Sequence, residues 1–297
     1  MLPDGSQPAD WVSVYQAPTR RPCEEQALVL KAMGITHHVT EQPDGCHVRV
    51  PAADASRALG ELGLYWRENP RRPTAAWPAI PPSRGVPLAV AWIVILSLCH
   101  AIQSGSLSGV DWLGAGELVA GRVRDGEWWR TLTALTLHAD VGHVTGNIAF
   151  GAFFGYLAGQ YLGSGVAALA IVVLAGLANG GNALVQLAAH RSIGASTAVF
   201  AALGLVAAVA WATSRRQALG WARAWSPVVA GIALLAFIGT GDEQTDIFAH
   251  LAGFLAGLAG GAGLNRLGGL RPGHTGLQAL TGAGAAALLA LAWWRAL

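Results

Sequence analysis

Two residues with the chemistry for covalent catalysis stand at the beginnings of two stretches that lack charged side chains. Ser196 follows Gly194 and Ala195 at the start of one stretch, and His250 lies near the start of the other. A hydroxyl is a weak nucleophile until a base removes its proton, and an imidazole can do this near neutral pH. The pair therefore indicates nucleophilic acyl transfer, with Ser196 as nucleophile and His250 as general base.

A second set of polar residues precedes the serine. His143 and Asn147 are four residues apart and share one face of a helix. The same face continues through Gly151, Gly155 and Gly159. Acyl transfer needs hydrogen-bond donors aimed at a developing oxyanion, each worth about 3 kcal/mol. We expect the Asn147 amide, an N–H of His143 and the backbone N–H of Ser196 to supply them.

The composition places these residues in a membrane. Of 297 residues, 53% are hydrophobic and 12% are charged, against about 25% charged in an average soluble domain. The charge concentrates in residues 1–86, whereas long intervals from residue 87 onward have none. A formal net charge of +2, without a basic patch interleaved with aromatic residues, argues against nucleic acid as a partner.

Neither a metal nor another cofactor is predicted. His37, His38, Cys46 and His47 lack the spacing of a zinc site, and we interpret them as surface residues. The three cysteines lie far apart in the chain, so a structural disulfide is not expected. The proposed chemistry needs only protein groups and water.

Residues 1–68 alternate short strand-like and helix-like patterns, which predicts a small α+β domain. The predicted strands are residues 11–15 and 47–50, and the predicted helices are residues 23–33 and 52–62. Residues 69–86 are rich in proline, which favours a stiff, extended linker.

The rest of the chain predicts an all-α polytopic membrane protein, because a helix needs about 20 apolar residues to cross the hydrocarbon core. Residues 87–265 form a six-helix core, and residues 266–297 add a seventh, C-terminal helix. The alternative is six spans with this last segment on the membrane surface. The predicted spans are residues 87–104, two within 141–190 divided near 159–165, then 192–214, 225–240, 247–264 and 273–294.

Arginines in short loops indicate the orientation. They cluster within residues 71–84, 215–223 and 266–271, which all fall on one side of the membrane. We therefore expect a cytoplasmic N-terminus, with Ser196 and His250 about one helical turn below the opposite face. A bacterial inner membrane is the predicted location, and no cleavable signal peptide is expected.

Small residues line the faces that carry the two reactive groups. Gly253 and Gly257 follow His250 on one face of its helix, and Gly204 lies two turns beyond Ser196. Stripes of small residues let helix backbones approach closely in membranes. We expect the two helices to pack together and bring the serine to the histidine.

Four motifs, in this order, resemble those of rhomboid intramembrane serine proteases. They are Trp129-Arg130 in the first loop, His138, His143 and Asn147 on the second span, Gly194-Ala195-Ser196 opening the fourth, and Ala249-His250, Gly253 and Gly257 on the sixth. The resemblance covers about residues 87–265. It is specific because the motifs fall on the right spans.

The resemblance implies a rhomboid-like six-helix bundle that hydrolyses peptide bonds with a Ser196–His250 dyad and no third carboxylate. His143, Asn147 and the Ser196 N–H would bind the oxyanion, and His138 would tie the long loop to the second helix. Supporting roles are implied for Trp129, Arg130, Phe200, Gly194, Gly253 and Gly257. The implied partners are the lipid bilayer and single-span transmembrane proteins, cut near their outer end.

Two positions depart from the family pattern. Thr197 stands where the family usually has glycine, and its β-branched side chain is expected to narrow the cleft or alter the turn without abolishing activity. Phe200 stands where the family often has a tyrosine stacked on the histidine. The stacking is expected to survive, without the hydroxyl's hydrogen bond.

Three alternatives stay open at the level of sequence. Thr197 also suits a catalytically inactive rhomboid-fold adaptor that binds membrane helices. The span number and the intramembrane polar groups allow a small transporter, although no internal repeat supports it. Asp246, one turn before His250, is interpreted as a helix N-cap or a loop acid, the alternative being a triad carboxylate.

Overall fold

The chain divides into two compact units, Met1–Ala76 and Trp77–Leu297. The computed structural model describes residues 10–69, 84–105, 109–216, 220–238, 246–266 and 273–297. The boundary between the units falls in the predicted linker, of which residues 70–83 lie outside the described residues.

The first unit is a three-stranded antiparallel sheet with two helices. Its elements are β1 (Trp11–Ala17), α1 (Arg20–Ala32), β2 (His38–Gln42), β3 (Gly45–Pro51) and α2 (Ala55–Glu68). The strand order is β1-β3-β2, and Leu30 and Leu62 of the helices share a buried core with Val48 and Val50. The α+β prediction is confirmed. Strand β2 was not predicted, because this edge strand carries only one aliphatic residue, Val39.

The second unit opens with α3 (Val86–Ser104), which leads into a long loop. The described part of this loop holds α4 (Trp112–Gly116), the two-residue strand β4 (Leu118–Val119), α5 (Ala120–Arg124) and α6 (Arg130–Thr133). The loop ends at His138 to Asp140, where Asp140 accepts a hydrogen bond from the His143 N–H over 2.8 Å and caps the next helix.

Long helices make up the rest of the second unit. They are α7 (Val141–Leu162), α8 (Ser164–Val185), α9 (Ser196–Arg216), α10 (Trp221–Ile238), α11 (Ile247–Arg266) and α12 (Thr275–Ala296), with the short strand β5 (Arg191–Ser192) before α9. Of the described helices, α3, α8, α9, α11 and α12 are long and apolar enough to cross a membrane. Together with α7 and the shorter α10 they confirm the polytopic, all-α prediction for this unit.

Helix α9 is the centre of the bundle. In the most apolar 18-residue stretch of α9, 72% of the residues are buried, whereas in that of α3 only 11% are. A helix that is apolar on all sides is one that other helices surround, and α9 is built mainly from Ala, Val and Leu. The end of the bundle at which α7, α9 and α11 begin is called the site end below.

Glycines bring α9 and α11 into backbone contact. A Cβ at Gly204 would lie 2.2 Å from Phe254 O, and a Cβ at Gly257 would lie 2.1 Å from Ala201 O. No side chain fits at either position without moving a backbone. The close packing expected from the glycine stripes is therefore present.

Helix α12 is fastened to the bundle near both of its ends. The Gln278 side chain accepts from the Gly165 and Val166 N–H groups over 2.9 and 3.1 Å, so it caps α8 from another helix. At the other end, the Trp293 indole donates to Thr136 Oγ1 over 3.1 Å. These contacts hold α12 against α8 at one end and against Thr136 at the other, and its length and composition suit a membrane span.

Candidate active site

The long loop holds the turn that leads into Ser196. The Gly194 N–H donates to Ala134 O over 2.9 Å, and the Ala195 N–H donates to His138 Nε2 over 3.2 Å. Just upstream, β5 pairs with β4 of the loop. Gly194 has a φ of 124°, which side chains disfavour. The chain then enters α9 with Ser196 as its first residue.

Ser196 lies where a helix stabilises negative charge. The first N–H groups of an α-helix have no partner within the helix, and the helix dipole is positive at that end. Ser196 is partly exposed, whereas Thr197 and the residues that follow are buried. Ser196 is therefore not sealed inside the bundle, and backbone N–H groups beside it can bind an anion.

His250 faces the first turns of α9. Its ring centroid lies 4.5 Å from that of Phe200, at an interplanar angle of 37°, so the expected stacking is present. One turn further along α11, a Cβ at Gly253 would lie 2.5 Å from Thr197 O. These two contacts place His250 at the level of Ser196. With 7% exposure, the imidazole is largely shielded from solvent.

His143 and Asn147 reach the serine turn from α7. A Cβ at Gly194 would lie 2.7 Å from His143 Nε2 and 3.6 Å from Asn147 Nδ2. Asn147 is buried, and the Trp92 indole donates to Asn147 O over 3.0 Å, which anchors this part of α7 to α3. Both predicted oxyanion donors thus lie beside the turn that carries Ser196.

His138 has partners that the sequence did not indicate. Its backbone exchanges hydrogen bonds of 3.0 and 2.7 Å with the side chain of Gln103, at the end of α3. Its ring accepts from Ala195 and lies 5.1 Å from the His143 ring, centroid to centroid. The ring contact with His143 reaches α7, the helix to which His138 was expected to tie the loop. The hydrogen bonds add contacts with α3 and with the serine turn.

Arg130 organises the long loop, with Trp129 beside it. The Arg130 side chain is buried, and it donates to Gly114 O and Glu117 O over 3.1 and 2.8 Å. The guanidinium carbon of Arg295, from α12, lies 5.4 Å from the centroid of the Trp129 ring. Both residues support the loop on which the serine turn rests.

Thr197 points into the helix interface. It is 3% exposed, and its methyl carbon lies 3.3 Å from the position of a Cβ at Gly253. Gly253, which has no side chain, leaves room for the Thr197 side chain between α9 and α11.

Two further residues near the site were not predicted to take part in it. Asn182 Nδ2 and His190 Nε2 lie 2.7 and 2.8 Å from Asp246 Oδ2. Asp246 Oδ1 accepts from the Ala249 N–H over 3.0 Å, which confirms its interpretation as a helix N-cap. A polar Asn182 inside a charge-free span was the available signal, whereas His190 looked like an ordinary interfacial residue.

The arrangement has the parts of an acyl-transfer site. It combines a partly exposed serine, a shielded imidazole at the same helical level, and hydrogen-bond donors beside the serine turn. Among the described residues, no group of three or more His, Cys, Asp or Glu side chains could hold a metal ion.

Comparison with known proteins gives one family. The Rhomboid domain matches residues 125–266, which run from the loop before α6 to the end of α11. The match therefore contains α7, α9 and α11, which carry Asn147, Ser196 and His250. No curated protein matches the chain.

Proposed function

Because the chain belongs to the rhomboid family, we propose that it is an intramembrane serine endopeptidase. It cleaves single-span transmembrane proteins near the end of the helix that faces the site end of the bundle. The observation that carries this proposal is that polar side chains from α7 and α11 meet near the turn that leads into Ser196. His143 and Asn147 lie beside Gly194, and His250 stacks on Phe200, one helical turn beyond Ser196.

The first half of the reaction forms an acyl-enzyme. His250 takes the Ser196 hydroxyl proton while Oγ attacks the substrate carbonyl carbon. The oxyanion is bound by the Ser196 N–H, His143 and Asn147. The carbon–nitrogen bond then breaks, and His250 returns the proton to the leaving amine.

The second half consumes water. His250 removes a proton from a water molecule that attacks the ester, and the same donors bind the second oxyanion. Collapse of this intermediate releases the new carboxyl group, and the proton returns to Ser196. No cofactor enters either half, and water reaches Ser196 from the site end.

Substrate and orientation follow from the position of the site. Ser196 and His250 lie in the first turns of spanning helices, so the cleaved bond lies close to one membrane face. Arg215, Arg216 and Arg266 lie at the opposite ends of these helices. By the positive-inside rule that end is cytoplasmic. We therefore propose a cytoplasmic N-terminus, and from the arginine-, alanine- and glycine-rich composition we propose a bacterial inner membrane.

The test is cleavage of a single-span reporter co-expressed with the chain. The wild type is expected to release the reporter domain, and Ser196→Ala is expected to leave it intact at equal expression. Release that persists unchanged in Ser196→Ala removes the assignment.

The second candidate is a catalytically inactive adaptor that binds membrane helices, motivated by Thr197 in place of the usual glycine. An adaptor leaves the reporter intact in the wild type and in Ser196→Ala, and the reporter co-purifies with both. Thr197 is buried against Gly253, so its presence does not by itself favour the adaptor.

A further inference from the structure

Asp246 lies immediately before the helix that carries the general base. Its Oδ1 caps α11 through the Ala249 N–H at 3.0 Å, and its backbone oxygen accepts from the His250 N–H over 3.1 Å. The side chain is 11% exposed. A carboxylate therefore stands, shielded from water, one helical turn ahead of His250.

The other carboxylate oxygen joins α11 to two more elements. Asn182 Nδ2, from α8, lies 2.7 Å from Oδ2, and His190 Nε2, from the chain that leads to Ser196, lies 2.8 Å away. The long loop holds this segment in turn, since the Ala120 N–H donates to His190 O over 3.0 Å. We call Asp246, Asn182 and His190 the Asp246 clasp.

The clasp bears on the charge that His250 acquires during the reaction. As general base, His250 becomes an imidazolium, but it sits at the positive end of the α11 dipole, which opposes such a charge. A carboxylate one turn ahead offsets this opposition, and more strongly in a shielded site than in water. The carboxylate does not need to touch the ring to act in this way.

We propose that Asp246 is a positioning residue for the protease reaction. The clasp fixes the first turn of α11 and supplies the negative charge that stabilises the His250 imidazolium in the transition state. Asn182 and His190 hold the carboxylate in place and couple it to the chain that enters the serine turn. The inference rests on the proposed function.

Asp246→Asn separates charge from capping, since asparagine caps helices as well as aspartate does. With purified full-length protein in liposomes, we expect kcat for the reporter to fall at least tenfold, with KM within twofold of the wild type. Hydrogen exchange of the first turn of α11 is expected to stay unchanged, because the cap remains. The matched control is Asp111→Asn, another capping aspartate, whose Oδ1 accepts from Gly114 over 2.9 Å. This control is expected to keep wild-type kcat.

A double-mutant cycle tests whether the clasp acts as one unit. His190→Ala alone is expected to lower kcat about threefold, and adding it to Asp246→Asn is expected to cost nothing more, since coupled residues are not additive. Effects that multiply would show that His190 acts independently, and would overturn the clasp.

The possible failures are distinguishable. A wild-type chain that cleaves nothing, or a Ser196→Ala variant that cleaves normally, overturns the proposed function and the clasp's role with it. An active, Ser196-dependent wild type whose Asp246→Asn variant keeps full kcat overturns the clasp alone.

Discussion

Within the described residues, Ser13 and His47 of the first unit can be compared with Ser196 and His250, the pair proposed for catalysis in the second unit. In the first unit, Ser13 Oγ lies 3.0 Å from His47 Nδ1, and His47 Nε2 lies 3.0 Å from Asp44 Oδ1. The hydrogen bond with His47 holds the pKa of Asp44 below its usual range. On distances alone this looks like a complete Ser–His–Asp triad.

The two serines differ in exposure and in the groups around them. Ser13 is exposed on strand β1, where its backbone pairs with Arg49 of β3, and Asp44 lies in the solvent. Ser196 instead opens a helix whose first N–H groups are available, beside His143 and Asn147. Preorganised donors for the oxyanion make the larger contribution to catalysis, so we assign the chemistry to the second unit.

Removing each histidine gives the largest contrast between the pairs. His250→Ala is expected to lower kcat for a single-span reporter by about 10⁴-fold or more, since loss of a triad-type base costs this much. His47→Ala is expected to stay within twofold of the wild type. Initial rates in liposomes measure both, and equal losses would mean that the first unit takes part in the reaction.

Removing an oxyanion donor from beside Ser196 is expected to give the next largest effect. Asn147→Ala is expected to lower kcat about 10²–10³-fold, the range for one lost oxyanion donor. The control is Asn179→Ala, another buried asparagine, which donates to Thr131 O over 2.9 Å. It is expected to lower thermal stability but to keep kcat within a few-fold. A kcat that falls equally in both variants would contradict the role of Asn147.

A substitution at Gly194 tests whether the serine turn must pack closely against His143 of α7. Gly194→Ala adds a methyl group 2.7 Å from His143 Nε2 at a φ of 124°, and a displacement of this kind is expected to lower kcat about 10–100-fold. Gly126→Ala is the matched control, because Gly126 also has a positive φ, 105°, but nothing within 4 Å of the added Cβ. If both variants keep wild-type kcat, His143 does not depend on this contact.

The smallest expected effect is on the free energy of unfolding. In the first unit helices pack on a sheet, whereas in the second unit glycines let α9 and α11 pack closely. Gly257→Ala places a methyl group 2.1 Å from Ala201 O, and overpacking of this kind costs about 1–3 kcal/mol. Gly263→Ala, in the same helix with nothing within 4 Å, is expected to be neutral or stabilising by up to about 1 kcal/mol. Unfolding in detergent measures the difference, and equal stabilities would refute the tight α9–α11 contact.

The spanning helices were predictable because lipid imposes a strong constraint on sequence. The predicted spans 87–104 and 247–264 agree closely with α3 and α11. The N-terminal edge strand β2 was missed because a short, half-exposed strand carries little apolar pattern. Its identity depends on pairing with β3, which the local sequence does not encode.

The residues that the sequence singled out in charge-free spans, Ser196, His250 and Asn147, lie near one another in the structure. The sequence did not indicate residues whose role depends on a contact with a distant part of the chain. Trp92 looked like an ordinary span residue, yet it anchors Asn147. His190 lies in a loop, and only the fold brings it to Asp246.

Labelling with a fluorophosphonate probe tests the central claim most directly, because the probe forms a covalent bond only with an activated serine. The wild-type protein in liposomes is treated with the probe, digested, and analysed by mass spectrometry. We expect modification of Ser196, none of Ser13, and loss of labelling in His250→Ala but not in His47→Ala. Modification of Ser13, or labelling of Ser196 that survives His250→Ala unchanged, would contradict it.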